Sequence, residues 1–191
     1  MEDKDIKKKA LEVYNISFNY HLTHAVFACD KLLENKARET GKKERKRLNE
    51  DLQAAYKQKD TARVAKLINE INSYKIRKYH LFVDYIDISD IEAGRVVNAE
   101  NGLVITLPQK LADAVKNKDG LLQPEGVEKF RKVMGHELGH VVLHTEPLID
   151  VKNLNGSKEL KGNMDREADV FATELLHLYR ERNHHIIKAA G

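Results

Sequence analysis

Within the stretch GHELGHVVLH, residues 135–144, His136 and His140 stand four apart, with Glu137 directly after the first histidine. Consecutive residues on a helix are separated by about 100°, so a spacing of four brings two side chains to nearly the same face, one turn apart. Two imidazoles so placed can reach one metal ion. Glu137 projects about 100° away from His136, beside that ion, where its carboxylate can take a proton from bound water. This is the donor chemistry of a catalytic zinc site, which takes three protein ligands and keeps a fourth position open. The third ligand must come from another element, because Glu146 occupies the place where an extended motif would carry a further histidine. Gly135 and Gly139 cost the helix about 1 kcal/mol each relative to Ala. Their place beside the histidines predicts that other backbone comes close there.

The segment READVFATELL offers the third ligand. Glu167 shares its side of a helix with Phe171, Glu174 and Leu178, and a carboxylate on a half-apolar face is costly to bury unless it is paired or bound to metal. Asp165 and Asp169 project about 200° away from Glu167, which leaves them as supporting or capping groups. His144 lies one turn past His140, within reach of a supporting role or an ordinary place at the helix end. Charge on the tetrahedral intermediate needs a donor besides the metal, and Tyr179, Tyr85 and His144 are candidates among which the sequence does not choose. His177, His184 and His185 read as solvated groups on or beyond the last helix.

HELGHVVLH followed by READVFATELL resembles the ImmA/IrrE family of zinc metallopeptidases. The resemblance runs from about Leu81 to Tyr179 and includes GLVITL, similar to the strand before the motif helix. It implies zinc bound by His136, His140 and Glu167, with Glu137 as general base. It further implies hydrolysis of peptide bonds in a protein substrate, such as a transcriptional repressor. The competing class is a non-catalytic interaction protein in which zinc ties helices together. Such a structural site is normally closed by a fourth protein ligand, and Cys29 is the one thiol available.

The elements around these motifs follow from hydrophobic period. From Ile6 to about Arg38 the positions Leu11, Tyr14, Phe18, Leu22, Ala25, Cys29 and Leu32 step by three and four, which predicts one long amphipathic helix. Gly41 breaks the pattern. A second stripe through Leu48, Leu52, Ala55, Val64, Leu67, Ile71 and Tyr74 predicts a second helix over about 42–79, with a fresh start at Asp60 or Thr61. Together they form a helical amino-terminal portion, residues 1–79, folded as an antiparallel hairpin that could serve as a docking or dimerisation arm. Residues 80–191 form the zincin-like core. LFVDYIDI, GRVV and LVITL read as strands, the last two a hairpin with Asn101-Gly102 in its turn. A short helix KLADAVKNK follows, then a helix from Pro124 through the metal motif, a loop over 145–164, and a final helix from Asp165. The predicted fold is α+β, a small antiparallel sheet packed on the motif helix and the last helix in a minimal zincin-like arrangement. LVITL, residues 103–107, is expected to offer an exposed edge along which an extended substrate adds a strand.

Composition sets the class of partner. The chain has 191 residues, 41% apolar and 33% charged, with a formal net charge of +3. The charges are interleaved, which gives no general pull toward nucleic acid or membrane. The basic run Lys36–Arg47 is interrupted by Glu39 and Glu44 and contains no aromatic residue, so it reads as a solvated face and not a phosphate-binding surface. No apolar run approaches the roughly 20 residues of a bilayer span, and MEDKDIKKKA lacks the apolar core of a signal peptide. The expected partner is a protein or peptide substrate, in the cytoplasm. A single cysteine excludes an internal disulfide and agrees with that compartment.

Overall fold

The computed structural model describes residues 1–17, 22–74, 80–87, 94–99, 102–117, 119–145 and 158–189, with side chains except those of 22–23, 158–161 and 183–189. Among these residues lie six helices and three strands: α1 (Asp3–Ile16), α2 (Leu22–Lys57), α3 (Thr61–Ser73), β1 (His80–Ile86), β2 (Arg95–Ala99), β3 (Gly102–Pro108), α4 (Gln109–Asp113), α5 (Pro124–Leu143) and α6 (Lys158–Ala189). The expected α+β class is borne out, and the sheet packs beside the motif helix through β2 and β3.

The first predicted helix is two. α1 stops at Ile16 because Ser17 turns extended and its hydroxyl donates to the Val13 carbonyl at 2.8 Å, competing with continuation of the helix. α2 then runs without interruption through Gly41, where a break was expected. Gly41 is buried, and ion pairs at helical spacing flank it: Arg38–Glu34 at 2.9 Å on one side, Arg47–Glu44 on the other. The hairpin turn falls instead at Gln58–Asp60, with Lys59 at φ 56° and Asp60 accepting from the Arg63 amide at 3.0 Å to cap α3. The basic run lies on the exposed face of α2.

The sheet is mixed, not antiparallel. Its order is β1-β3-β2, with β1 parallel to β3 from His80↔Gly102 to Ile86↔Pro108 and β2 antiparallel to β3 from Arg95↔Thr106 to Ala99↔Gly102. β3 is therefore the central strand, and the edge expected at 103–107 is paired on both sides. The continuous apolar run LVITL suits this place, for Leu103, Ile105, Leu107 and Thr106 are all buried. The hairpin of β2 and β3 forms as read, although Asn101 lies outside the described residues. The outer edges of the sheet belong to β1 and β2.

One apolar cluster joins Ile6, Ala10 and Val13 of α1, Ala25, Ala28, Cys29 and Leu33 of α2, the inner face of β3, and Met134, Leu138 and Val141 of α5 with Phe171, Leu175 and Tyr179 of α6. Leu48, Ala55 and Leu67 make a second, smaller cluster where α2 meets α3. The last helix begins at Lys158, seven residues earlier than expected, so Glu167 lies in its third turn and not its first. Of the loop expected over 145–164, residues 146–157 lie outside the described residues.

Candidate metal centre

α5 and α6 cross antiparallel at close range, and small residues let them do so. A Cβ on Gly139 would lie 2.9 Å from the Ala168 Cα and 3.0 Å from its carbonyl oxygen, and one on Gly135 would lie 3.2 Å from the Ala172 Cβ. The glycine pair of one helix thus meets the alanine pair of the other, both spaced by four. This contact turns the faces that carry chemistry toward each other. His136 and His140 look out from α5; Asp165 and Asp169, also four apart, look out from α6.

The Nε2 atoms of His136 and His140 approach to 3.0 Å, and Asp165 Oδ1 stands 3.4 Å from His140 Nε2. One donor atom each from His136, His140 and Asp165 falls within 4.8 Å of the others, a set that could hold a metal ion. Two imidazole nitrogens and a carboxylate oxygen, with Asp165 exposed, match the donor chemistry of an open zinc site. Burial, then the neighbouring imidazoles of His136 and His140's other neighbour His144, push His140 down to about 4 against the opposing pull of Asp165 and Asp169. A neutral imidazole is the form that binds metal. On the other side of its ring, His136 Nδ1 pairs with Asp169 Oδ1 at 2.7 Å.

Glu137 is 3% exposed. Desolvation raises its carboxyl to about 7, with His136 pulling down and Asp165 pushing up. Gly94, just before β2, closes over it: a Cβ there would meet Glu137 Cγ at 2.8 Å and Oε1 at 2.9 Å. Any side chain at 94 would displace the carboxylate. Sequence reading passed over Gly94, although a lone glycine at a strand end is a known sign of close backbone approach.

Glu167 stands apart from the point where the two Nε2 atoms converge. Its Oε2 faces His144 Nε2 at 2.9 Å, and its Oε1 accepts from the amino terminus of Met1. Desolvation pushes its carboxyl up, but the hydrogen bonds of the amino terminus and His144 outweigh it and hold the group below its ordinary value. Glu167, expected as third ligand, here meets His144 and the amino terminus and lies outside the set formed by His136, His140 and Asp165. A histidine and an amine here satisfy the sheltered carboxylate.

Tyr179 lies away from the converging donor atoms. It lies ten residues beyond Asp169 on α6, about 15 Å along the axis, with its hydroxyl 2.9 Å from Ser17 Oγ and its ring against Tyr14. Tyr85 lies on β1, lining an apolar cavity of about 520 Å³ with Phe130 and Met134. Cys29 is fully buried in the core, among residues on the back of α5 such as Val141, which removes it as a fourth ligand. His177 is solvent-facing, 3.5 Å from Glu181. The side chains of His184 and His185 lie outside the described residues.

No helix among the described residues is long and apolar enough to cross a membrane. Neither a curated protein nor a solved structure matches the chain. Residues 125–181 match the family model Peptidase_M78, described as the IrrE N-terminal-like domain, which bears out over α5 and most of α6 the resemblance read from the two motifs.

Proposed function

We propose that a chain whose residues 125–181 carry the IrrE N-terminal-like peptidase segment is a zinc metallopeptidase, hydrolysing peptide bonds in a protein substrate. The observation that carries this reading is the convergence of His136, His140 and Asp165 on one point beside the buried carboxylate of Glu137. His136 and His140 would hold zinc through Nε2 and Asp165 through its carboxylate. Zinc held there supplies Lewis acidity toward the scissile carbonyl and toward water. Asp169 keeps His136 in the tautomer that leaves Nε2 bare. Glu137, sheltered by Gly94 and with its proton affinity raised by burial, takes the proton of the attacking water and delivers it to the leaving amine. The outer edge of β2, which follows Gly94, is the edge nearest this carboxylate, and an extended substrate backbone can add to it as a fourth strand. A transcriptional repressor is a substrate of fitting class.

Replacing Glu137 by Gln tests the reading, because it keeps size and near-shape while removing the basic carboxylate. Zinc content is expected to be unchanged and turnover of a confirmed protein substrate to fall about 10²- to 10⁴-fold. Equal cleavage by the wild type and Glu137→Gln would overturn the catalytic assignment.

A further inference from the structure

Between β1, the end of α4 and the first three turns of α5 lies an apolar cavity of about 520 Å³, within the roughly 300–1,000 Å³ of small-molecule sites. Val26, Val83, Val115, Val127 and Phe130 form its walls, and the buried Met134 also lines it. Close contacts fix these walls. A Cβ on Gly126 would overlap the Ala114 carbonyl oxygen, so α5 sits directly on the end of α4. The Gln123 amide donates to the Val115 carbonyl at 2.9 Å, and Asn117 Oδ1 accepts from the Leu121 amide at 2.8 Å. The loop so held keeps Leu122 in the lining although it is 64% exposed. A leucine pinned at the surface beside an apolar cavity is area that an apolar guest would cover.

The polar groups of the lining set the chemistry of that guest. Arg131 is the one charged residue among the described residues that line the cavity, and the Tyr85 hydroxyl is a second donor. Glu128, one turn before Arg131, is already paired with Arg180 and Lys132, so the guanidinium can serve an anion in the cavity. Backbone partners are scarce on the β1 side, where the Leu81 amide donates to Asp30 at 2.8 Å and the Tyr85 amide to Asp84 at 2.9 Å. A peptide lying here would bury amides without partners, which is costly; a hydrocarbon chain has none to bury. We propose that this cavity binds an unbranched aliphatic carboxylate, the chemistry of a fatty acid, with its chain among the valines and Phe130 and its carboxylate on Arg131. Phe130 precedes His140 by ten residues, about 15 Å along α5, and the site does not rest on the metal centre proposed above.

Isothermal titration calorimetry on the full chain with octanoate, decanoate and dodecanoate, each below its micelle-forming concentration, tests the proposal. One saturable site is expected, with affinity rising about fourfold per methylene, and zinc-loaded and zinc-free protein should bind alike. Arg131→Met should weaken decanoate about 10- to 100-fold and leave binding of decan-1-ol unchanged. Val115→Phe, which fills the cavity, should abolish binding of both; should it fail to fold, the chain-length series and Arg131→Met still decide. Absence of saturable binding would overturn the proposal, as would an affinity indifferent to chain length or to Arg131→Met. Binding only in the presence of zinc would place the carboxylate on the metal and overturn it too. Tighter binding of acetyl-Leu-Leu than of decanoate would overturn it in favour of a peptide chain end.

Discussion

At the scale of single residues, the proposed zinc site rests on Asp165 as its third ligand. Its carboxylate is the acidic group on the side where the two Nε2 atoms converge, whereas Glu167 is spent on His144 and the amino terminus. Asp165→Asn is expected to weaken zinc binding about 100-fold or more, roughly 2.7 kcal/mol. Glu167→Gln is expected to cost about tenfold or less, since an amide oxygen still accepts from His144. Competition against a chromogenic chelator measures both, and the reverse ranking would contradict the geometry. His136, Glu137 and His140 were legible in the sequence because a spacing of four has one meaning on a helix. The proposed third ligand was harder to read, though Asp165 and Asp169 repeat the same spacing. What the sequence leaves open is which face of the last helix turns toward the motif helix, and that is decided by packing between elements distant in the chain.

At the scale of elements, the crossing of α5 and α6 sets the site, and Gly139 is its tightest point. Alanine there would gain about 1 kcal/mol of helix propensity, yet its Cβ would fall 2.9 Å from the Ala168 Cα, an atom of the backbone that can yield only if the helices part. Gly139→Ala is therefore expected to destabilise the fold by about 1–3 kcal/mol and to weaken zinc binding as Asp165 moves off. Gly135→Ala, 3.2 Å from a methyl group, should do less of both. Thermal melts with and without zinc check this, and a neutral or stabilising Gly139→Ala would contradict the close crossing. The paired glycines and the paired alanines were readable as small-residue spacing, and the sequence did announce close approach beside the histidines. Strand pairing was not readable in the same way. LVITL reads as a strand from its composition, but that β1 joins it parallel while β2 joins it antiparallel is a matter of strand order, which local pattern does not encode. Nor does local pattern decide whether a glycine ends a helix: Gly41 is carried through because packing and flanking ion pairs offset its cost.

At the scale of the whole molecule, the amino-terminal helices do not all stand apart from the half that carries the candidate metal centre. We propose that α1 and the first half of α2 fold as one unit with the sheet, α5 and α6, since a single apolar cluster joins them, and that only the far hairpin of α2 and α3 projects with a cluster of its own. Arg166–Asp3 at 2.7 Å and Lys7–Glu174 at 3.3 Å lie along the same junction of α1 and α6. Cys29 reports on this unit. It is fully buried, and burial followed by the charge of Asp30 raises its thiol far above the ordinary value, so the reactive thiolate is suppressed. The native protein should resist thiol-labelling reagents at neutral pH and react once denaturant unfolds it; rapid labelling of native protein would contradict the shared core. The central claim is that His136, His140 and Asp165 hold zinc beside the base Glu137 with one position left open. A zinc-loaded crystal structure phased at the zinc absorption edge tests it most directly. The account predicts an anomalous peak bound by His136 Nε2, His140 Nε2 and Asp165, with the remaining position held by water near Glu137. A peak bound by Glu167 in place of Asp165, or a position closed by a fourth protein ligand, would contradict it.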